Sequence, residues 1–226
     1  MKKVSIIVTS WNKVQFMAAC GMACIASIRA FTDPKDYELI VVETGIPLWD
    51  GHGTLGLNKD TIYLHKELSQ DQGNSADMNE GAKLATGEYL VFIENDVILH
   101  EGWLPHMLYY FEHSLADVVI PVQYHTTWEN VQKWKSQSHE EAMNPGLEEA
   151  GLLMIKKDKF ILTGGWNEKM KRIYMWKGFL ERVNNVGLKI ITTYKTFITH
   201  IGGVSYWWST ENDRENFDKA GKEEST

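Results

Sequence analysis

Cysteine is nearly absent from this chain. Two occur in 226 residues, Cys20 and Cys24, with no partner elsewhere. They cannot build a disulfide framework, and neither Cys-x-x-Cys nor a Cys/His zinc spacing is present, so a reducing compartment is expected. Long apolar runs are missing too. The stretch Phe16 to Ile28 is broken by Gly21 and is too short to cross a bilayer. The opening MKKVSIIVTSWN is basic, but its apolar run stops at Thr9-Ser10, which does not match a secretory leader. A soluble, cytoplasmic protein with no integral membrane segment is expected. Positive charge is scarce as well: 23 Lys and Arg against 30 Asp and Glu leave a formal net charge of −7, which argues against a generally nucleic-acid-binding surface. No internal repeat or low-complexity segment is visible.

What the chain does have is alternation. VSIIV (Val4 to Val8), ELIVV (Glu38 to Val42), TIYL (Thr61 to Leu64) and YLVFI (Tyr89 to Ile93) are short apolar or β-branched runs, which suits strands buried on both faces. Between them, Asn12 to Ala30 and Asn79 to Ala85 have helical spacing, the second with Gly87 as its stop, and Asp50 to Gly56 reads as a Gly-rich loop. Strands alternating with helices predict an α/β fold with a parallel sheet. After Asp96 the expected order is a helix over Gly102 to His113, then a strand over Asp117 to Val122. A polar loop follows at 123–150, then a strand (Gly151 to Ile155), two helices (Lys157 to Thr163, Leu180 to Asn185) and a last strand (Lys189 to Thr193). Residues 209–226 read as a polar tail.

Open parallel sheets bind ligands beyond the carboxyl ends of their strands. The polar residues of this chain collect there: Thr9-Ser10-Trp11-Asn12, Glu43-Thr44-Gly45 and Glu94-Asn95-Asp96 each follow an apolar strand. Three such tips on one sheet edge predict a nucleotide site.

The segment GNSADMNEGAKLATGEYLVFIENDV, residues 73–97, reproduces without a gap the spacing G-x-S-x-A-x-x-N-x-G-x-x-x-A-x-G-E-Y-x-x-F followed by an acidic-x-Asp triplet. VSIIVTSWN, ELIVVETG and THIGGVS add weaker matches, and together these segments resemble the family-2 glycosyltransferases of GT-A fold over roughly residues 3–205. The resemblance implies a mostly parallel central sheet flanked by helices. It also implies one domain over 1–208, with a nucleotide-binding half (1–97) and an acceptor-binding half (98–208). A nucleoside-diphosphate sugar, with UDP as the expected nucleotide, would be the donor, and Mn²⁺ or Mg²⁺ would neutralise its diphosphate. Asp96 is then the chief metal ligand and His200 a second. Glu94, standing where the family has its first Asp, would act through water or on the ribose. Glu43 would accept the imide N–H of uracil, Trp11 would stack on the base, and Thr9, Asn74, Asn79 and Asn95 would line the donor site.

One position breaks the pattern. The family's acceptor-side motif is matched by GLLMIKKDKFILTGGWNEKM, but the acidic pair that should follow falls on Met175-Trp176. An inverting displacement needs a base within reach of the attacking hydroxyl. Glu148, Glu149, Glu168 and Glu181 are the substitutes in range. The alternatives are a retaining reaction, in which departing phosphate oxygen takes the proton, and a silent nucleotide-sugar binder. Of the tryptophans Trp103, Trp128, Trp134, Trp166, Trp176, Trp207 and Trp208, one or two are expected to line an acceptor groove. Seven basic residues between Lys156 and Lys177 against two acidic ones suggest an anionic acceptor, such as a phosphorylated lipid carrier, an acidic glycan or a hydroxylated base in DNA.

Overall fold

Branched and aromatic side chains make VSIIVTSWN a strand, β1 (Val4–Asn12), in which Trp11 alone is not buried. The structure, a computed structural model, describes residues 3–48, 60–125, 142–143, 150–170 and 173–201. Asn12 thus closes the strand instead of opening the helix expected there. Helix α1 (Gln15–Phe31) follows, and its buried Met17, Gly21, Cys24 and Ile28 recur at the spacing of one helix face. Next come β2 (Tyr37–Gly45), β3 (Thr61–Lys66), α2 (Asn74–Leu84) and β4 (Tyr89–Glu94). Gly73, at φ 93°, sets the turn into α2, which starts one turn earlier than Asn79.

The second half adds β5 (Val97–Ile98), α3 (Trp103–Glu112), β6 (Val118–His125), β7 (Ala142–Met143), β8 (Leu152–Lys156), α4 (Lys157–Leu162), α5 (Ile173–Asn185) and β9 (Ile190–His200). Two of these run well past their expected bounds. Helix α5 begins at Ile173 rather than Leu180, because Gly178 interrupts an otherwise helical pattern. Strand β9 continues to His200 rather than Thr193, with a register shift against β6 between Pro121 and Val122.

The strands form one sheet in the order β3-β2-β1-β4-β8-β6-β9-β5, with β7 on the side of β9. Parallel pairing joins β3, β2, β1 and β4, and again β6 with β9. Strands β8, β5 and β7 join antiparallel. Alternate residues of the central strands feed two separate cores. Val4, Ile6, Val8, Val91 and Ile93 meet α1 and α3 on one face. Ile7, Ile40, Leu90 and Phe92 meet α2, α4 and α5 on the other. Each such side chain, fully buried, contributes about 1.5–3 kcal/mol, so the middle of the sheet is a rigid mount for whatever its ends carry.

That mount explains the site. The parallel register aligns the carboxyl ends of β1, β2 and β4, with Thr9 opposite both Val42 and Glu94. The β5–β9 pairing sets Val97 against His200, and the Ile201 amide donates to the Asp96 carbonyl at 2.9 Å. A histidine distant in sequence is thereby delivered to the acidic tip.

Candidate metal and nucleotide site

Glu94 ends β4 on the face that packs against α5, and Asp96 lies just beyond it. His200 Nε2 stands 3.1 Å from Asp96 Oδ1 and 3.6 Å from Glu94 Oε2. One ligand atom from each of the three residues lies within 4.8 Å of the others. Asp96 and His200 are each only 6% exposed. Two carboxylates and an imidazole converging in this way match the donor preferences of Mn²⁺ and tolerate Mg²⁺. The three residues therefore fit a divalent cation.

The other Glu94 oxygen has a partner of its own. Trp176 Nε1 donates to Glu94 Oε1 at 2.8 Å, leaving Oε2 turned toward His200. Trp176 thus occupies the place where an acidic residue was expected and orients the metal-side glutamate. It does not line an open groove. Its ring is buried edge-on against Trp166, centroids 5.0 Å apart, and Trp166 stacks on Phe179 at 4.3 Å. Trp103 is likewise buried, its indole N–H on Thr32 at 2.9 Å. These three are packing residues, their large apolar area used between sheet and helices. Trp128, Trp134, Trp207 and Trp208 lie outside the described residues.

A hydrogen-bond chain crosses the tips of four strands. Asn95 Nδ2 donates to Ser10 Oγ at 3.1 Å, and Ser10 Oγ donates to Asn12 Oδ1 at 2.8 Å. Asn12 Nδ2 donates to Glu43 Oε1, Tyr63 O–H to Glu43 Oε2, and the Leu48 amide to both oxygens at 2.9 Å. Glu43 is fully buried, and burial pushes its pKa up against the pull of these donors and of nearby His65. Its carboxylate has its acceptor sites filled from within the protein. Gly45 completes the corner at φ 105°, and a Cβ there would meet the Asn12 carbonyl oxygen at 2.4 Å. Ser10 and Asn12 belong to the polar tip read from the sequence but carry no role there, and Tyr63 falls within an expected strand without one. The adjacency of Ser10 and Asn12 to a strand tip was the available signal.

The remaining expected residues divide. Thr9 is buried, and its Oγ1 has no hydrogen-bond partner among the described residues. Trp11 is half-buried against Met17 and Cys20, with Lys13 Nζ 5.8 Å from its ring centre. Asn74 is the half-buried first residue of α2. Asn79 clamps the chain across α2: its amide nitrogen donates to the Trp166 carbonyl and to Glu168 at 2.9 Å each, and its oxygen accepts the Trp166 amide at 2.9 Å. That clamp also accounts for the exposed Glu168. Glu181 is exposed on α5, on the side opposite buried Met175, Trp176, Phe179 and Val183, and so faces away from Glu94. Neither glutamate is poised as a base beside the acidic tip. Glu148 and Glu149 lie outside the described residues.

The basic run divides: Lys177 is exposed on α5 next to Trp176, and Lys169 is exposed in the turn before that helix. Lys156 pairs in register with Tyr89 at the far end of β4, where Lys157 and Lys159 follow on α4. Lys171 and Arg172 lie outside the described residues. Nearer the site, Lys66 Nζ bridges Asp77 at 2.7 Å and Glu80 at 2.5 Å, and Thr44 Oγ1 donates to Asp77 at 3.3 Å. Among the described residues no helix is long and apolar enough to cross a membrane.

Comparison with known proteins agrees with this architecture. The family model for glycosyl transferase family 2 matches residues 5–170. The poly(ribitol-phosphate) beta-N-acetylglucosaminyltransferase TarP of Staphylococcus aureus (strain N315) is 29% identical over 123 residues, 53% of this chain and 36% of that protein. The glycosyltransferase AglE of Haloferax volcanii is 29% identical over 105 residues, 45% of this chain and 33% of that protein. The chain thus spans about a third of the length of the curated relatives it matches. The crystal structure of S. aureus TarS 1-349 superposes with a TM-score of 0.63 at 14% identity, covering 92% of this chain and 62% of that one, and so shares its fold.

Proposed function

The chain belongs to glycosyl transferase family 2, and on that premise we propose that it moves a sugar from a nucleoside-diphosphate donor, a UDP-sugar, to an acceptor hydroxyl. The observation that carries this reading is the convergence of Glu94, Asp96 and His200 at the carboxyl end of the central strand. A divalent cation held there would supply positive charge to the leaving diphosphate. Asp96 and His200 provide buried donor atoms, and Glu94 presents Oε2 because Trp176 holds Oε1. The donor lies over Thr9, Trp11 and Asn74, with the buried Thr9 hydroxyl as a ready hydrogen-bonding group. Glu43 and Asn95 act at one remove, fixing the tips of β1, β2 and β4 through the Ser10–Asn12 chain.

The lysines of α4 lie at the wrong end of β4 to meet an acceptor. An anionic acceptor is supported instead by the relative TarP, a poly(ribitol-phosphate) beta-N-acetylglucosaminyltransferase. A second reading, nucleotide-sugar binding without turnover, is favoured by Trp176 at the expected base position.

Donor hydrolysis separates the two. With Mn²⁺ present, the chain is expected to stabilise thermally on adding UDP-sugars and to release free sugar slowly, and Asp96→Asn to lose both effects. Metal-dependent binding without sugar release identifies a silent binder. Asp96→Asn binding UDP and Mn²⁺ as tightly as the parent defeats the site assignment. NMR of the product anomer then distinguishes inversion from retention.

A further inference from the structure

Helix α4 is the sequence KDKFIL, and only Phe160 in it is buried. Its last two residues, Ile161 at 67% and Leu162 at 58%, are the most exposed large apolar side chains among the described residues. A folded monomer has no internal reason to leave two adjacent aliphatic residues open, and such a patch marks a contact surface. A cavity of about 470 Å³ joins α4 to α2, lined by Ala82, Lys83, Leu90, Lys157, Phe160 and Ile161 among others. Lys83 from α2 and Lys157 from α4 line the depression, the Lys157 ammonium donating to the Ala85 carbonyl at 2.6 Å, and Lys156 and Lys159 flank Lys157 in sequence.

We propose that this end of the molecule docks on an anionic lipid bilayer, with Ile161 and Leu162 entering the interface and Lys83, Lys157 and Lys159 meeting lipid phosphates. Aliphatic side chains rimmed by lysine are what an interfacial site requires, because burial of the apolar tips and attraction to anionic headgroups act together. The acidic neighbours do not cancel the rim. Asp77 and Glu80 of α2 are paired with Lys66 at 2.7 and 2.5 Å, Asp158 accepts the amide of Lys159 at 2.9 Å, and Glu88 is the other carboxylate of these segments. Charge also decides against a second copy of this chain. A two-fold contact would set this lysine-rich patch against a second lysine-rich patch, whereas a bilayer bearing phosphatidylserine complements it. Docking leaves the sugar site open. Leu90, on the cavity wall, precedes Glu94 by four residues, about 13 Å along the strand at ~3.3 Å per residue. The proposal does not rest on the transferase reading.

Sedimentation of the full chain with vesicles tests it, comparing phosphatidylcholine alone with phosphatidylcholine containing phosphatidylserine, at low and high salt. Binding is expected only to the anionic vesicles and to weaken with salt. Ile161→Asp with Leu162→Asp should reduce it at least about tenfold, and Lys83→Glu with Lys159→Glu at least about twentyfold, each lysine being worth roughly fivefold. All four positions are outside the sugar site, so donor hydrolysis should persist. Circular dichroism and Tm verify folding, and the lysine pair carries the test if the apolar pair misfolds. No sedimentation, equal sedimentation with neutral vesicles, or variants that bind like the parent overturns the proposal. Self-association abolished by the apolar variants in the absence of vesicles also overturns it, and assigns the face to a second copy.

Discussion

Strand β2 carries a carboxylate near each end, and the two behave oppositely. At the amino end, Glu38 accepts from Ser5 Oγ, from the Thr86 amide, from Thr86 Oγ1 at 2.9 Å and from the Gly87 amide at 3.3 Å. Burial pushes Glu38 up, but these donors outweigh it and the carboxyl ends below its usual range. At the carboxyl end, Glu43 collects a similar set from Tyr63, Leu48 and Asn12, yet it is fully buried and its pKa ends above the usual range. Depth, not the number of donors, sets the sign. The amino edge of the sheet is organised for stability. There Gly87 is pressed so close to β1 that a Cβ would meet the Ser5 nitrogen at 2.8 Å. The carboxyl edge keeps carboxylates where burial disfavours their charge, the arrangement that marks functional edges.

The sharpest way to break this contrast is Asp96→Asn. If the carboxyl edge is functional, metal-dependent sugar release should fall at least about 100-fold, since even outer-shell changes at metal sites cost about 10–100-fold. The Tm in metal-free buffer should move little. A large fall in metal-free Tm with activity retained would place Asp96 with Glu38 as a structural carboxylate. Trp176→Phe is the next test. It keeps a ring in the Trp166–Phe179 stack but removes the N–H that holds Glu94 Oε1. Apparent Mn²⁺ affinity should weaken about tenfold, read by titration, with kcat at saturating metal much less affected. Unchanged affinity would mean that Glu94 needs no such orientation.

At the amino edge the expectation reverses. Glu38→Gln should lower stability by about 1–2 kcal/mol, the scale of hydrogen bonds to a charged group, and leave sugar release intact. Because the folded pKa of Glu38 lies below the unfolded value of about 4.3, its contribution is complete above that value and is lost as pH falls through the folded pKa. Denaturation curves of parent and variant should therefore converge in acid. A constant gap across the pH series would show that the charge of Glu38 is not what matters.

Which of these residues the sequence displayed follows the same division. Glu43, Glu94 and Asp96 stood out because a carboxylate ending an apolar run conflicts with strand burial, and His200 because of its His-x-Gly-Gly context. The strands of the first half were legible because both their faces are apolar. Trp176 could be placed only by counting register, and its bond to Glu94 depends on α5 packing against β4, which no local pattern encodes. The same holds for Asn79, whose pattern position is shared with donor-site residues but whose amide closes on Trp166. Lys156 to Lys159 looked adjacent to the acceptor side in sequence, and antiparallel β8 carried them to the opposite end of β4. Local patterning writes the elements; crossovers decide which ends meet.

The finest test concerns Glu43. Its folded pKa lies above the unfolded value of about 4.3, so the folded state binds the extra proton between the two and stability declines as pH rises through that window. Glu43→Gln removes the titration while keeping an oxygen for the Asn12 and Leu48 donors and an amide that Tyr63 can accept. Its effect near pH 7 should stay below about 1 kcal/mol, the net contribution of one hydrogen bond. The direction of the slope is the informative part. Relative to the parent, the variant should gain stability as pH rises above about 4, opposite in sense to the Glu38 variant, whose deficit widens as pH rises toward about 4 and is level above it. Thermal denaturation of the three proteins across that range measures both slopes at once. Parallel slopes for the two variants would mean that the ends of β2 do not differ in the way their burial implies, and the carboxyl edge would lose its claim to carry charge against a cost.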